Sequence, residues 1–419
     1  MENQSKKAQI VLWACALFNL SIGVLYAWAV IRTRLIAPIA EGGFGWYDGQ
    51  AGLPFSIAIL VFSIGMMIGG RIQDKIGPRR VVTAGSVLTA TGFIIAGLSG
   101  NNAAGIITGF GVIAATGMGL GYGSVTAPAL KWFPPSKKGL VSGIIVGGFG
   151  ISAVGMAPIT SALLDNFGIA QTFIILGIFN LIVSTTIAQF INNPPSGYTP
   201  PMVKVNNDST KKATSAVSSV NFEWTQMLKT GRFYMMFIIF ILTSSVGLMI
   251  INTVTTIARS QAGITEPAIL AGLVSFLALT NTLGRVAGGM MSDKIGRINS
   301  LFVILVLQLV NMAAFTFYQN LPTLIVGIIL VGFCFGTLLS VMPALCADQY
   351  GLKNFGINYG IMFFAWGLSG VMAPLFAGFL YDATGSFNTI YIICAVMMAA
   401  MIAVNFMLKK DIERTTAGT

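Results

Sequence analysis

Twelve apolar runs, each about 20 residues long, dominate this chain and leave few ways for it to fold. They lie near 8–31, 51–70, 81–98, 104–130, 139–163 and 169–191, then near 233–257, 267–291, 299–318, 321–346, 357–381 and 387–408. A helix of that length matches the hydrocarbon thickness of a bilayer, and in lipid each backbone N–H and C=O must find a partner within its own segment or in a closed barrel. The composition agrees: 55% of residues are hydrophobic, 9% are charged and the mean hydropathy is +0.81, outside the range of soluble domains. The expectation is an all-α membrane protein with twelve transmembrane helices. Lys6 and Lys7 precede the first run as they would in a signal peptide. That run is too long, lacks a small-residue cleavage site and leads into further spans, so it reads as helix 1.

The formal net charge is +11, and its distribution says what the basic residues are for. With the N-terminus inside, 20 of the 24 Lys and Arg residues fall in cytoplasmic loops and tails, three (Arg32, Arg34, Arg259) fall outside, and Arg285 falls within the membrane. Such one-sidedness is the positive-inside pattern, and it points to lipid rather than nucleic acid as the charged partner. Short loops and tails imply a prokaryotic plasma membrane, with both termini cytoplasmic. Cys15, Cys334, Cys346 and Cys394 sit in or at the ends of apolar spans with no CxxC spacing, as packing residues do. Histidine is absent, which removes the commonest metal ligand and proton-transfer side chain. With no nucleophile or acid–base constellation, neither an enzyme nor a metal or cofactor site is expected.

The one long polar stretch, 193–232, is rich in Pro, Ser, Thr, Asn and Lys and reads as a cytoplasmic linker between an N-terminal bundle at 1–192 and a C-terminal bundle at 233–419. The two halves repeat each other. "GGRIQDKIG" at Gly69 to Gly77 recurs as "GGMMSDKIG" at Gly288 to Gly296, and "PAL" at Pro128 to Leu130 recurs at Pro343 to Leu345, each pair at the same place in its half. Glycines here allow a tight turn and close approach of a neighbouring helix, and an Asp can accept hydrogen bonds from a helix N-terminus.

Arg285 is the residue that demands an explanation. A charge at mid-membrane costs about 2.5–3.5 kcal/mol on insertion scales, so it normally faces a polar cavity or a partner. Eight residues separate it from Asp293, about 12 Å along a helix, too far to read it as an end residue reaching for water. All thirteen acids lie at or beyond span ends, with Asp348 and Asp382 nearest. Two readings follow: a substrate anion gripped by the planar guanidinium fork, or a structural arginine satisfied by backbone carbonyls or a distant acid. Asn281, one turn earlier on the same face, could orient the guanidinium or bond a substrate hydroxyl.

"GGRIQDKIGPRR" resembles the loop 2-3 signature of the major facilitator superfamily, carried by Gly70, Asp74, Gly77, Arg79 and Arg80. Gly289, Asp293, Gly296 and Arg297 resemble its counterpart between helices 8 and 9. "GVLYAWAV", "KWFPPSKKGLVSG", "MLKTGRFYMMF" and "NFGINYG" narrow the resemblance to the oxalate/formate antiporter and monocarboxylate transporter branch. The resemblance implies a major facilitator fold of two pseudo-symmetric six-helix bundles, functional as a monomer, rocking around a central site.

By the same resemblance Arg285 matches the helix 8 arginine that binds substrate carboxylate. Trp366 stands where carriers of the oxalate dianion have a second cation, a lysine, so a small monocarboxylate such as lactate or pyruvate is the expected substrate. Tyr26, Trp28 and Tyr122 fall on positions that line the site. Phe149, Phe335 and Phe363 replace Tyr or Trp of oxalate carriers, and Leu339 replaces another tyrosine, making the cage more apolar. Animal monocarboxylate transporters resemble this chain but carry an aspartate where Asn281 stands. A proton is the expected co-substrate, carried on the substrate or on an end-of-helix carboxylate. An oxalate/formate-type exchanger and a non-transporting carboxylate sensor are the competing expectations.

Overall fold

The computed structural model describes residues 2–200 and 221–417. Every regular element among them is helical. In the first half, α1 (Glu2–Ile22) passes through a 3-10 stretch at Gly23–Ala27 into α2 (Trp28–Ile36), so the first span is one interrupted helix. It is followed by α3 (Asp48–Ile76), α4 (Pro78–Leu98) and α5 (Ala103–Ile106), which runs through a π-helical segment at Ile107–Ala114 into α6 (Ala115–Trp132), and then by α7 (Lys138–Ala188). The second half contains α8 (Trp224–Met227), α9 (Gly231–Ala262), α10 (Pro267–Ile295), α11 (Arg297–Ala314), α12 (Leu321–Tyr350), α13 (Phe355–Thr384) and α14 (Asn388–Ala417).

The boundaries have local causes. Asn102 caps α5 by accepting from the backbone N–H groups of Ala104 and Gly105, and Asn320 caps α12 by accepting from Thr323. Gly77 and Gly296 both sit at φ 88°, a conformation that only glycine adopts without strain, and each turns one helix directly into the next. Glu223 and Gln226 close α8 with a reciprocal capping box. Within the expected linker, residues 201–220 lie outside the described residues.

Eleven helices among the described residues are long and apolar enough to cross a membrane. The twelfth span lies inside α7, which runs for 51 residues but contains Gly168 at φ 73° and ψ −179°. That residue is a break rather than a helical turn. The fifth and sixth spans therefore meet at one glycine, and the short loop expected between them shrinks to that residue.

The chain forms two compact units. Unit 1 comprises Met1–Phe133, Gly148–Pro200 and Leu352–Gly367; unit 2 comprises Pro134–Gly147, Pro201–Gly351 and Leu368–Thr419. The start of α7 thus belongs to unit 2 and the start of α13 to unit 1. Inside each unit, glycines let backbones meet: a Cβ on Gly119 would strike the Phe62 carbonyl in unit 1, and a Cβ on Gly336 would strike the Asn281 carbonyl in unit 2. Lipid offers little hydrophobic drive for helix association, so close backbone packing of this kind supplies it. Several buried hydroxyls bond along their own helices, as in Ser86 donating to Val82 O at 2.8 Å and Thr89 to Gly85 O at 2.9 Å.

Candidate functional site

In unit 2, Arg285 is 1% exposed, the largest side chain among those fully buried. It projects from α10 where the first turns of α7 press against that helix. Gly143 makes the approach possible, since a Cβ there would collide with the Arg285 carbonyl. One turn further on, the Val146 carbonyl accepts a hydrogen bond from Nη1 at 2.6 Å, while Asn281 Oδ1 accepts from Nε at 2.9 Å. Nη2 has no partner among the described residues. Two neutral acceptors hold the guanidinium in orientation, and no carboxylate pairs with it among the described residues.

Asp348, one of the two span-end acids expected to come nearest to Arg285, is committed elsewhere. It accepts from Lys138 Nζ at 2.9 Å and from Arg297 Nε at 3.1 Å. The Asp382 side chain lies outside the described residues. On α12, Phe335 and Leu339 are each 3% exposed one turn apart, and the Phe335 ring lies against Gly247 of α9, where a Cβ would strike it.

In unit 1 the site candidates fall into two groups. Tyr122, Phe149, Phe363 and Trp366 form one aromatic cluster around Phe62, with ring centroids 5.0–6.3 Å apart from Phe363–Trp366 to Phe62–Phe363. Phe62, fully buried at its centre, was not singled out in the sequence because a phenylalanine inside an apolar span carries no distinguishing signal. The Trp366 indole N–H is buried and has no partner among the described residues. Trp28 sits in a different cluster: it stacks on Phe110 at 4.4 Å, lies 6.5 Å from Phe173, and its Nε1 donates to the Ala51 carbonyl at 3.1 Å. The side chain of Tyr26 lies outside the described residues.

The repeated loops make parallel contacts. In unit 1, Asp74 accepts from the backbone N–H groups of Gly356 and Ile357 at 3.4 and 3.2 Å, and Gly70 faces Gly356 so closely that either Cβ would collide with the other main chain. In unit 2, Asp293 accepts from Gly139 and Leu140 at 2.9 and 2.8 Å, and Gly289 faces Gly139 in the same way. Each aspartate therefore satisfies amides at the start of a helix, where they have no intrahelical acceptor. Arg297 adds bonds to Asp293 at 2.5 Å and Ser292 at 2.9 Å. Arg79 bonds Gln189 at 2.7 Å instead.

The model of the Major Facilitator Superfamily matches residues 12–318 and 301–418. The chain belongs to this superfamily. It is 26% identical over 379 residues to the oxalate:formate antiporter of Oxalobacter formigenes, covering 89% of this chain and 84% of that protein. It is 25% identical over 399 residues to monocarboxylate transporter 13 of Rattus norvegicus, covering 93% and 86%. These relatives place it in the oxalate/formate antiporter and monocarboxylate transporter branch. The crystal structure of the Escherichia coli fucose:proton symporter FucP superposes with a TM-score of 0.70 over 96% of this chain and 98% of that one, at 14% identity. That likeness speaks for the fold alone, a multi-pass helical membrane architecture.

Proposed function

We propose that this superfamily member carries small monocarboxylates such as lactate or pyruvate, coupled to protons, by alternating access in a prokaryotic plasma membrane with both termini cytoplasmic. The observation that carries this reading is the buried Arg285, oriented by Asn281 and Val146 and left without a carboxylate among the described residues. A buried guanidinium with an unengaged terminal nitrogen favours an anion beside it, and a transported carboxylate offers the planar, bidentate match. Trp366, where the dianion carriers it resembles have a lysine, favours one negative charge on the cargo. Phe335 and Leu339, in the same unit as Arg285, are proposed to line the path of an apolar alkyl group.

The test is uptake of labelled L-lactate into proteoliposomes, with and without an inward-directed proton gradient, for the wild-type chain and Arg285→Lys. The reading expects concentrative uptake that collapses with the gradient and is lost in the variant, because an ammonium lacks the planar fork. Normal uptake by a normally inserted Arg285→Lys protein sinks the role of Arg285. The relative that exchanges oxalate and formate supports a second reading, anion exchange. Strong competition by oxalate, with flux that needs an anion on the far side rather than a proton gradient, decides for it.

A further inference from the structure

A cleft of about 880 Å³ opens in unit 1 at the end of the spans where lysine and arginine gather. It lies where α3 turns into α4, beside the end of α7, and its lining includes Ile76, Arg79, Arg80, Thr83, Gln189 and Asn193. No acidic residue lines it among the described residues. Arg79 Nε donates to Gln189 Oε1 at 2.7 Å, and Gln189 Nε2 in turn donates to the Thr185 carbonyl at 2.9 Å. This chain of bonds holds the guanidinium in place with both terminal nitrogens unengaged among the described residues. Arg80 has no partner among them either. Asp74, the acid of the same loop, is occupied by Gln73 and the amides of Gly356 and Ile357.

Apolar surface leads away from this cationic end along the spans. Ile76 is 49% exposed, Val87 on α4 47%, and Ile182 and Phe190 near the end of α7 61% and 53%. A cationic head beside uncovered hydrocarbon has the polarity profile of an anionic phospholipid in reverse charge. Basic pockets between transmembrane helices bind such headgroups for this reason.

We propose that this cleft binds the phosphate of an anionic phospholipid headgroup, with Arg79 and Arg80 as its two guanidinium forks. The site belongs to the first repeat alone. At the matching places of the second repeat stand Ile298 and Asn299, and neighbouring Arg297 is committed to Asp293 and Asp348. Binding here does not depend on what Arg285 holds, so it stands or falls separately from the substrate reading.

The experiment is native mass spectrometry and thermal unfolding of the full chain in detergent with added phosphatidylglycerol, phosphatidylcholine or inorganic phosphate. Phosphatidylglycerol is expected to stay bound and raise the unfolding temperature, with phosphatidylcholine doing neither. Arg79→Gln with Arg80→Gln is expected to weaken phosphatidylglycerol binding about tenfold. Lys409→Gln with Lys410→Gln, an equal charge loss at exposed positions of α14, is expected to leave it unchanged. If the arginine pair of glutamines does not fold, Arg79→Lys with Arg80→Lys keeps the charge, and a several-fold loss is expected from the missing fork geometry. Retention of full binding by the arginine variants overturns the proposal, as does an equal loss in the lysine control. An arginine-dependent shift with inorganic phosphate alone keeps the phosphate chemistry and overturns the lipid as its source.

Discussion

The two repeated loops share a backbone and differ in wiring. Gly77 and Gly296 adopt the same φ of 88°, Asp74 and Asp293 each accept from two amides at a helix start, and Gly70 and Gly289 each face a second glycine. Beyond that frame they part. Unit 2 joins Asp293, Arg297, Asp348 and Lys138 into one ion-pair network with the Lys138 side chain only 3% exposed. Unit 1 has Pro78 where unit 2 has Arg297, and its arginines at 79 and 80 turn to the surface. The interiors differ as well: a buried cation in unit 2 and, in unit 1, an aromatic cluster that takes Phe363 and Trp366 from the second half of the chain. Duplication has kept what the backbone needs and released what charge does.

The largest expected effect tests the difference between interiors. On the proposed reading, Arg285→Lys should lower lactate kcat/KM by about 100-fold, since the ammonium keeps the charge but loses the bidentate fork and the bonds to Asn281 and Val146 that orient it. Next comes the wiring of the loops. Asp293→Asn should cost about 2–3 kcal/mol of stability, because it removes a charge-assisted partner of two amides and of Arg297 together. Asp74→Asn should cost less, about 1–2 kcal/mol, on the longer bonds of unit 1. Unfolding temperatures of the two variants, compared under identical detergent conditions, check the order, and equal losses would show the two loops to be equally wired.

The shared frame makes the opposite prediction, equality. Gly70→Ala and Gly289→Ala each push a methyl group into a facing glycine backbone and should each destabilise by about 1–3 kcal/mol. A loss in one variant and none in the other would break the symmetry. The smallest effect concerns the unit 1 cluster. Trp366→Phe keeps an aromatic ring but removes an N–H that has no protein partner among the described residues, so stability should change by under about 1 kcal/mol or even improve. A rise in lactate KM of several-fold with stability unchanged would show that the indole N–H serves the cargo.

Some of this was legible from residues alone. The apolar runs announced the spans, and the "DKIG" strings announced the duplication and, through Asp and Gly, the kind of contact each loop makes. Arg285 stood out because few residue types are so costly in that setting, and Asn281 because it is one turn away. Other parts left no trace. The Val146 carbonyl that orients Arg285 is main chain, identical in type at every position. Phe62 is one of 29 phenylalanines, and Trp28 falls apart from Tyr122 and Trp366 because its indole is taken by Ala51 O and its ring by Phe110. Gly168 breaks α7 between the fifth and sixth spans within a single residue, where the apolar runs alone left a gap of several residues.

By itself the sequence determined that this chain crosses a membrane many times, that it is built from two copies of one plan, and that it buries a positive charge. Each of these follows from the transfer cost of a residue type or from a spaced repeat, both of which are local in the chain. Only the tertiary structure decided that Asp348 serves Lys138 and Arg297 rather than Arg285, that the starts of α7 and α13 pack with units other than those of their own halves, and that Arg79 and Arg80 border an open cleft. Those outcomes depend on which backbone comes within hydrogen-bond reach of which side chain, a distance set by glycine contacts between helices far apart in sequence.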